Sequence, residues 1–117
     1  MTEEKPPVVA LLEADKGWQI AVKLALDANL RVVVQVCNDI SRALRLKPEA
    51  IDLAILGDLR PEQMRRALDW AEERHKSGLS TMLLSDVGRV HGLPFFQKAK
   101  FGDATRFLKE VELRLAR

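Results

Sequence analysis

The apolar positions of this chain fall into short unbroken runs that alternate with stretches of helical spacing. Val8 to Leu12 (VVALL) contains β-branched members and no polar interruption, as a strand covered on both faces requires. From Lys16 to Asn29, Trp18, Ala21, Val22, Ala25 and Leu26 recur at three- and four-residue intervals, which predicts a helix, and Ile20 and Leu24 add a second stripe. Arg31 to Val36 (RVVVQV) predicts a second strand. Asn38 or Asp39 then stands where it can cap a short helix over Ser41 to Leu46, which Pro48 helps to end. A third strand runs from about Asp52 to Leu56. Pro61 holds a first-turn position, and Met64, Ala67, Leu68 and Ala71 form the inner stripe of a helix ending near His75, with Ser77-Gly78 as its stop. Thr81 to Ser85 reads as a fourth strand and Phe95 to Lys98 as a fifth. Asp103 is placed to cap a last helix on which Phe107, Leu108, Val111 and Leu115 share a face.

Strands alternating with helices of this length predict βαβ units, hence an α/β fold with a central parallel five-stranded sheet between two helical layers. Ligands meet such a sheet at the carboxyl ends of its strands. The residues that fall there are Glu13, Ala14, Asp15, Gly57, Asp58, Ser85 and Lys98. Only nine residues, DVGRVHGLP, separate Ser85 from Phe95. A crossover containing a helix needs about 10–12. The fourth helix is therefore expected to be shortened or absent, leaving Phe95, Phe96 and Phe101 either as repacked core or as a partner-binding patch with His91.

Composition narrows the classes. A chain of 117 residues suits one domain, expected over residues 8–117 behind a flexible lead-in at 1–7. The 19 basic and 17 acidic residues are scattered, which is too balanced for a nucleic-acid footprint. No apolar run approaches the ~18 residues of a membrane span, and the polar start MTEEKPP does not read as a signal peptide. The lone Cys37 cannot form a disulfide within the chain, so a reducing cytoplasm is the expected compartment and a small buried hydrophobe its expected role. His75 and His91 have no Cys or second His at ligand spacing. His75 suits a helix C-terminus, and Trp70, off the inner stripe, is expected to cover the sheet edge.

In the order and spacing of its strand-end residues, the chain resembles the receiver domains of bacterial two-component response regulators. The resemblance implies a receiver-like, flavodoxin-like three-layer sandwich. It also places the family's metal-binding acidic pair at Glu13 and Ala14, its phospho-acceptor at Gly57, its hydroxyl at Ser85 and its lysine at Lys98. The family's proline four residues after the acceptor is Pro61, which assigns the acceptor place to glycine. Ala14 removes one metal carboxylate, Asp15 is expected to point elsewhere, and Ala99 replaces the proline after Lys98.

The chain thus resembles the shortened forms often called pseudo-receivers. A phosphorylation-independent signalling module is expected. It would act by protein–protein contact or as a homodimer, with no catalytic residue and no cofactor. Asp58 is expected to cap the helix at Pro61 or to be a solvated loop acid, since one step along a strand turns a side chain to the opposite face. Two alternatives stay open. A glycine bulge at Gly57 could re-aim Asp58 as a phospho-acceptor, with Glu13, Asp15 and Asp58 holding Mg²⁺. The chain could also be the dimerisation domain of a longer regulator.

Overall fold

A computed structural model describes residues 5–86 and 92–116 of the chain. In chain order the elements are β1 (Val8–Leu12), α1 (Lys16–Asn29), β2 (Val33–Cys37), α2 (Ile40–Leu44), a 3₁₀ turn (Pro48–Ala50) and β3 (Leu53–Leu56). Then follow α3 (Pro61–Lys76), β4 (Thr81–Leu84), β5 (Phe95–Phe96), a second 3₁₀ turn (Lys98–Lys100) and α4 (Thr105–Leu115). All strand pairs are parallel, in the order β2-β1-β3-β4-β5. This is a flavodoxin-like arrangement, whose switch point lies between β1 and β3.

Strand parity divides the core into two apolar layers. Ala10, Leu12, Ala54, Leu56 and Leu83 pack with Ile40 and Ala43 of α2 and with Ala67 and Ala71 of α3. Val9, Leu11, Leu53, Ile55, Met82 and Leu84 pack with Val22 and Leu26 of α1 and with Phe107 and Val111 of α4. Because helices cover both faces, every residue of β3 and β4 is buried, which is why these strands read as continuous apolar runs. The second stripe on α1 has no such partner: Ile20 and Leu24 are 60% and 63% exposed.

The helix ends follow local chemistry. Asp15 caps α1 by accepting from Trp18 N at 2.9 Å, and Asp39 caps α2 by accepting from Arg42 N at 3.0 Å. Such a cap stabilises a helix by about 1 kcal/mol. Gly78, at φ +80, receives the end of α3, where a side chain would be strained. Asp103 accepts from Thr105 N, but the N-cap position of α4 is Ala104, held at φ 70.

Several boundaries differ from expectation. The second strand starts at Val33 rather than Arg31, and α2 runs from Ile40 to Leu44. The fifth strand is only Phe95–Phe96, so Lys98 belongs to a 3₁₀ turn beyond it. The expected loss of a fourth helix falls on the connection from β4 to β5, whose residues 87–91 lie outside the described ones, as does His91. Among the described residues, no helix is long and apolar enough to cross a membrane.

Candidate functional site

The carboxyl ends of β1, β3 and β4 and the turn after β5 converge on one group of polar side chains. Glu13 directly follows β1 and has no solvent exposure. Its Oε1 accepts from Lys98 Nζ at 2.6 Å and from Asp58 N at 3.3 Å, and its Oε2 accepts from Asp15 N at 3.1 Å. Lys98 also donates to Asp58 Oδ2 at 2.8 Å, and Ser85 Oγ donates to Asp58 Oδ1 at 2.8 Å. The Lys98 ammonium lies 5.0 Å from the centre of the Trp18 ring, within cation–π range.

Asp58 therefore does not cap α3, contrary to expectation. The N-cap of α3 is Arg60, which makes no side-chain capping bond, and Pro61 starts the helix. The reason lies in the ladder between β1 and β3. Leu12 pairs with Leu56, and Gly57 N donates to Leu12 O at 2.7 Å. A regular parallel ladder would then bond Ala14 N to the carbonyl of residue 57. It bonds Asp58 O instead, at 3.0 Å. Residues 57 and 58 thus stand together opposite Glu13, which is a bulge of one extra residue on the β3 side. Strict alternation no longer applies past Leu56, and the Asp58 carboxylate reaches Ser85 and Lys98.

Glycine at 57 is a steric requirement. A Cβ there would lie 2.3 Å from Glu13 Oε1 and 3.1 Å from Leu12 O. The volume that a side chain at position 57 would fill is taken by the Glu13 carboxylate. The carboxylate at the end of β1 thus lies under the end of β3, and that of Asp58 lies against the hydroxyl and the lysine.

The electrostatics follow from burial. Desolvation alone lowers the pKa of the Lys98 ammonium. The hydrogen bonds and charges of Asp58 and Glu13 outweigh it, so the pKa is raised above the ordinary lysine value. The Asp58 side chain is 40% exposed while those of Glu13 and Lys98 are 0% and 5% exposed, so Asp58 is the member of the group that solutes can reach.

Ala14 lines the open cleft beside the group, and Asp15 stands at its rim with its carboxylate engaged as the α1 cap. Phe95 packs on the α3 side, while Phe96 and Phe101 pack on the α1 and α4 side. Phe101 meets Trp18 edge-on at 5.4 Å and Phe107 at 5.1 Å, and Phe96 meets Phe107 at 5.6 Å. All three phenylalanines are half-buried members of the core, and their bodies are not free surface. Trp70 packs against the α3-side core with the Arg74 guanidinium 5.6 Å from its ring. Cys37 is buried, and burial pushes its thiol pKa up. His75 lies exposed in the last turn of α3.

Sequence reasoning missed three contributors. Trp18 packs against the α1-side core as its spacing predicts, and it also covers Lys98. Gln19 Nε2 donates to Glu13 O at 2.7 Å, and Asp86 Oδ1 accepts from Ala99 N at 2.7 Å, tying the end of β4 to the turn that carries Lys98. Nothing in their local spacing marks these two. The bulge did have a signal, an isolated glycine at the end of an apolar run.

Glu13 and Asp15 are not free to take a divalent cation as they stand. Glu13 is fully buried and already matched by an ammonium and two backbone N–H groups, and Asp15 is engaged as a cap. Comparison of the chain with models of protein families, with curated proteins and with solved structures finds no match.

Proposed function

We propose that this chain is a phosphorylation-independent, receiver-like signalling module of bacterial type, working by contact with another protein or with a second copy of itself. The observation that carries the reading is Glu13, buried beneath Gly57 and bonded to Lys98. The carboxylate and the lysine that phosphoryl chemistry would require are spent on each other. No catalytic residue is assigned. The lone buried Cys37 suits a reducing cytoplasm. The exposed pair Ile20 and Leu24 and the exposed Leu113 offer apolar contact area on α1 and α4.

One observation favours a second reading. Asp58 is the accessible carboxylate, and it lies between a hydroxyl and an ammonium. Incubation with acetyl phosphate and Mg²⁺, followed by intact-mass measurement, separates the two readings. The module is expected to gain no mass. A labile gain of one phosphoryl group, lost in Asp58→Asn, would overturn the first reading in favour of the second.

A further inference from the structure

Sharing Asp58 with the open cleft, a further cavity of about 190 Å³ lies between β3, β4 and α3. Its walls are Leu56 of β3, Leu83 of β4 and Met64 and Leu68 of α3, with Asp58 and Ser85 at its polar end. Apolar cavities of about 150 Å³ hold guests the size of benzene, so this one has room for a single ring or a branched aliphatic group. The polar end restricts what that group can carry. Among the described residues around the neighbouring cleft, the carboxylates of Glu13, Asp15, Asp58 and Asp86 outnumber the cations Arg60 and Lys98 by four to two. An anionic ligand would meet net repulsion there, and a neutral apolar ligand would leave the Asp58 carboxylate partly desolvated without a new partner. Each Asp58 oxygen takes one of the bonds described above, and a carboxylate oxygen has two lone pairs, so a further donor can be accepted.

We propose that this cavity binds a small primary ammonium ligand bearing one aromatic or branched aliphatic group, with the ammonium on Asp58 and the apolar group between β3, β4 and α3. Such a ligand would give the module an input that needs no phosphoryl transfer. The site stands on its own geometry, and its test is independent of the acetyl phosphate result.

The test uses the full chain and benzylammonium as the probe, titrated calorimetrically at neutral pH. Saturable binding at one site is expected, with affinity falling at least ~10-fold in Asp58→Asn, which keeps the shape and removes the charge. A similar fall is expected in Leu68→Phe, which fills the cavity from the helix side and leaves the ionic group intact, so the test survives if the first variant folds poorly. Benzyl alcohol, of the same shape without charge, should bind at least ~10-fold more weakly. The proposal is overturned by no saturable benzylammonium binding, by equal affinity for benzyl alcohol, or by unchanged affinity in Leu68→Phe.

Discussion

Among the described residues, the two ends of the sheet each bury one cation, and they hold it in opposite ways. At the carboxyl ends, Lys98 sits between the carboxylates of Glu13 and Asp58. At the amino ends, Arg74 of α3 is 4% exposed and donates to three neutral carbonyls: Pro48 O at 3.2 Å, Ile51 O at 3.4 Å and Ser80 O at 3.1 Å. Desolvation, partly offset by Asp52, lowers the Arg74 pKa, while that of Lys98 is raised. The difference teaches which residue suits which task. Guanidinium is weakly hydrated, presents a planar fork of donors and keeps its proton, so dipoles suffice to hold it and it ties the 3₁₀ turn, β3 and β4 together as a staple. A compact ammonium would shed its proton among carbonyls alone, so it is buried only with anions, which makes its end of the sheet the one that responds to charge.

The strongest way to break this comparison is to remove the cation that needs anions. Lys98→Met should cost about 3–5 kcal/mol, because it leaves the fully buried Glu13 without a counter-charge. The urea midpoint measures it, and a loss under ~1 kcal/mol would mean that water reaches Glu13 in solution. Adding Glu13→Gln to Lys98→Met should recover part of the loss.

Gly57→Ala comes next, at about 3 kcal/mol, the upper end for overpacking. Its new methyl must displace the Glu13 carboxylate and also crowds the Leu12 carbonyl. If Glu13 is what yields, the same substitution made in a Glu13→Ala background should cost far less, and equal costs in the two backgrounds would discard the account of the bulge. Arg74→Met should cost about 2 kcal/mol, because it strands the buried Ile51 carbonyl while water can still serve that of the exposed Pro48. A loss as large as that from Lys98→Met would erase the distinction between the two ends.

How much of this was legible depends on the range of the interaction. Val8–Leu12 and Lys16–Asn29 run as the apolar pattern predicts, since burial on both faces and on one stripe are local periodicities. The parallel sheet follows from their alternation, and the strand-end positions of Glu13, Asp58 and Ser85 follow from the sheet. What periodicity could not show is the one-residue bulge, because it depends on a carboxylate 44 residues earlier taking the space beside Gly57. The same holds for Lys98. Its place in a turn beyond a two-residue strand depends on its bonds to Glu13 and Asp58, not on the spacing of Phe95 and Phe96.

The smallest effect separates the two cations by titration. The folded-state pKa of Lys98 is raised, so its stabilising contribution is fully present below the unfolded value of about 10.4 and is lost as pH rises through the higher folded value. Arg74 keeps its charge throughout that window, so the amino end should contribute no slope there. Urea midpoints taken between about pH 9 and pH 11.5 will also report the other lysines, which a comparison with Lys98→Arg cancels, since arginine does not titrate in this range. Wild type should lose stability more steeply than Lys98→Arg above about pH 10.4. Parallel curves would show that the ammonium between Glu13 and Asp58 gains nothing from them in solution, and the contrast between the two ends of the sheet would then rest on packing alone.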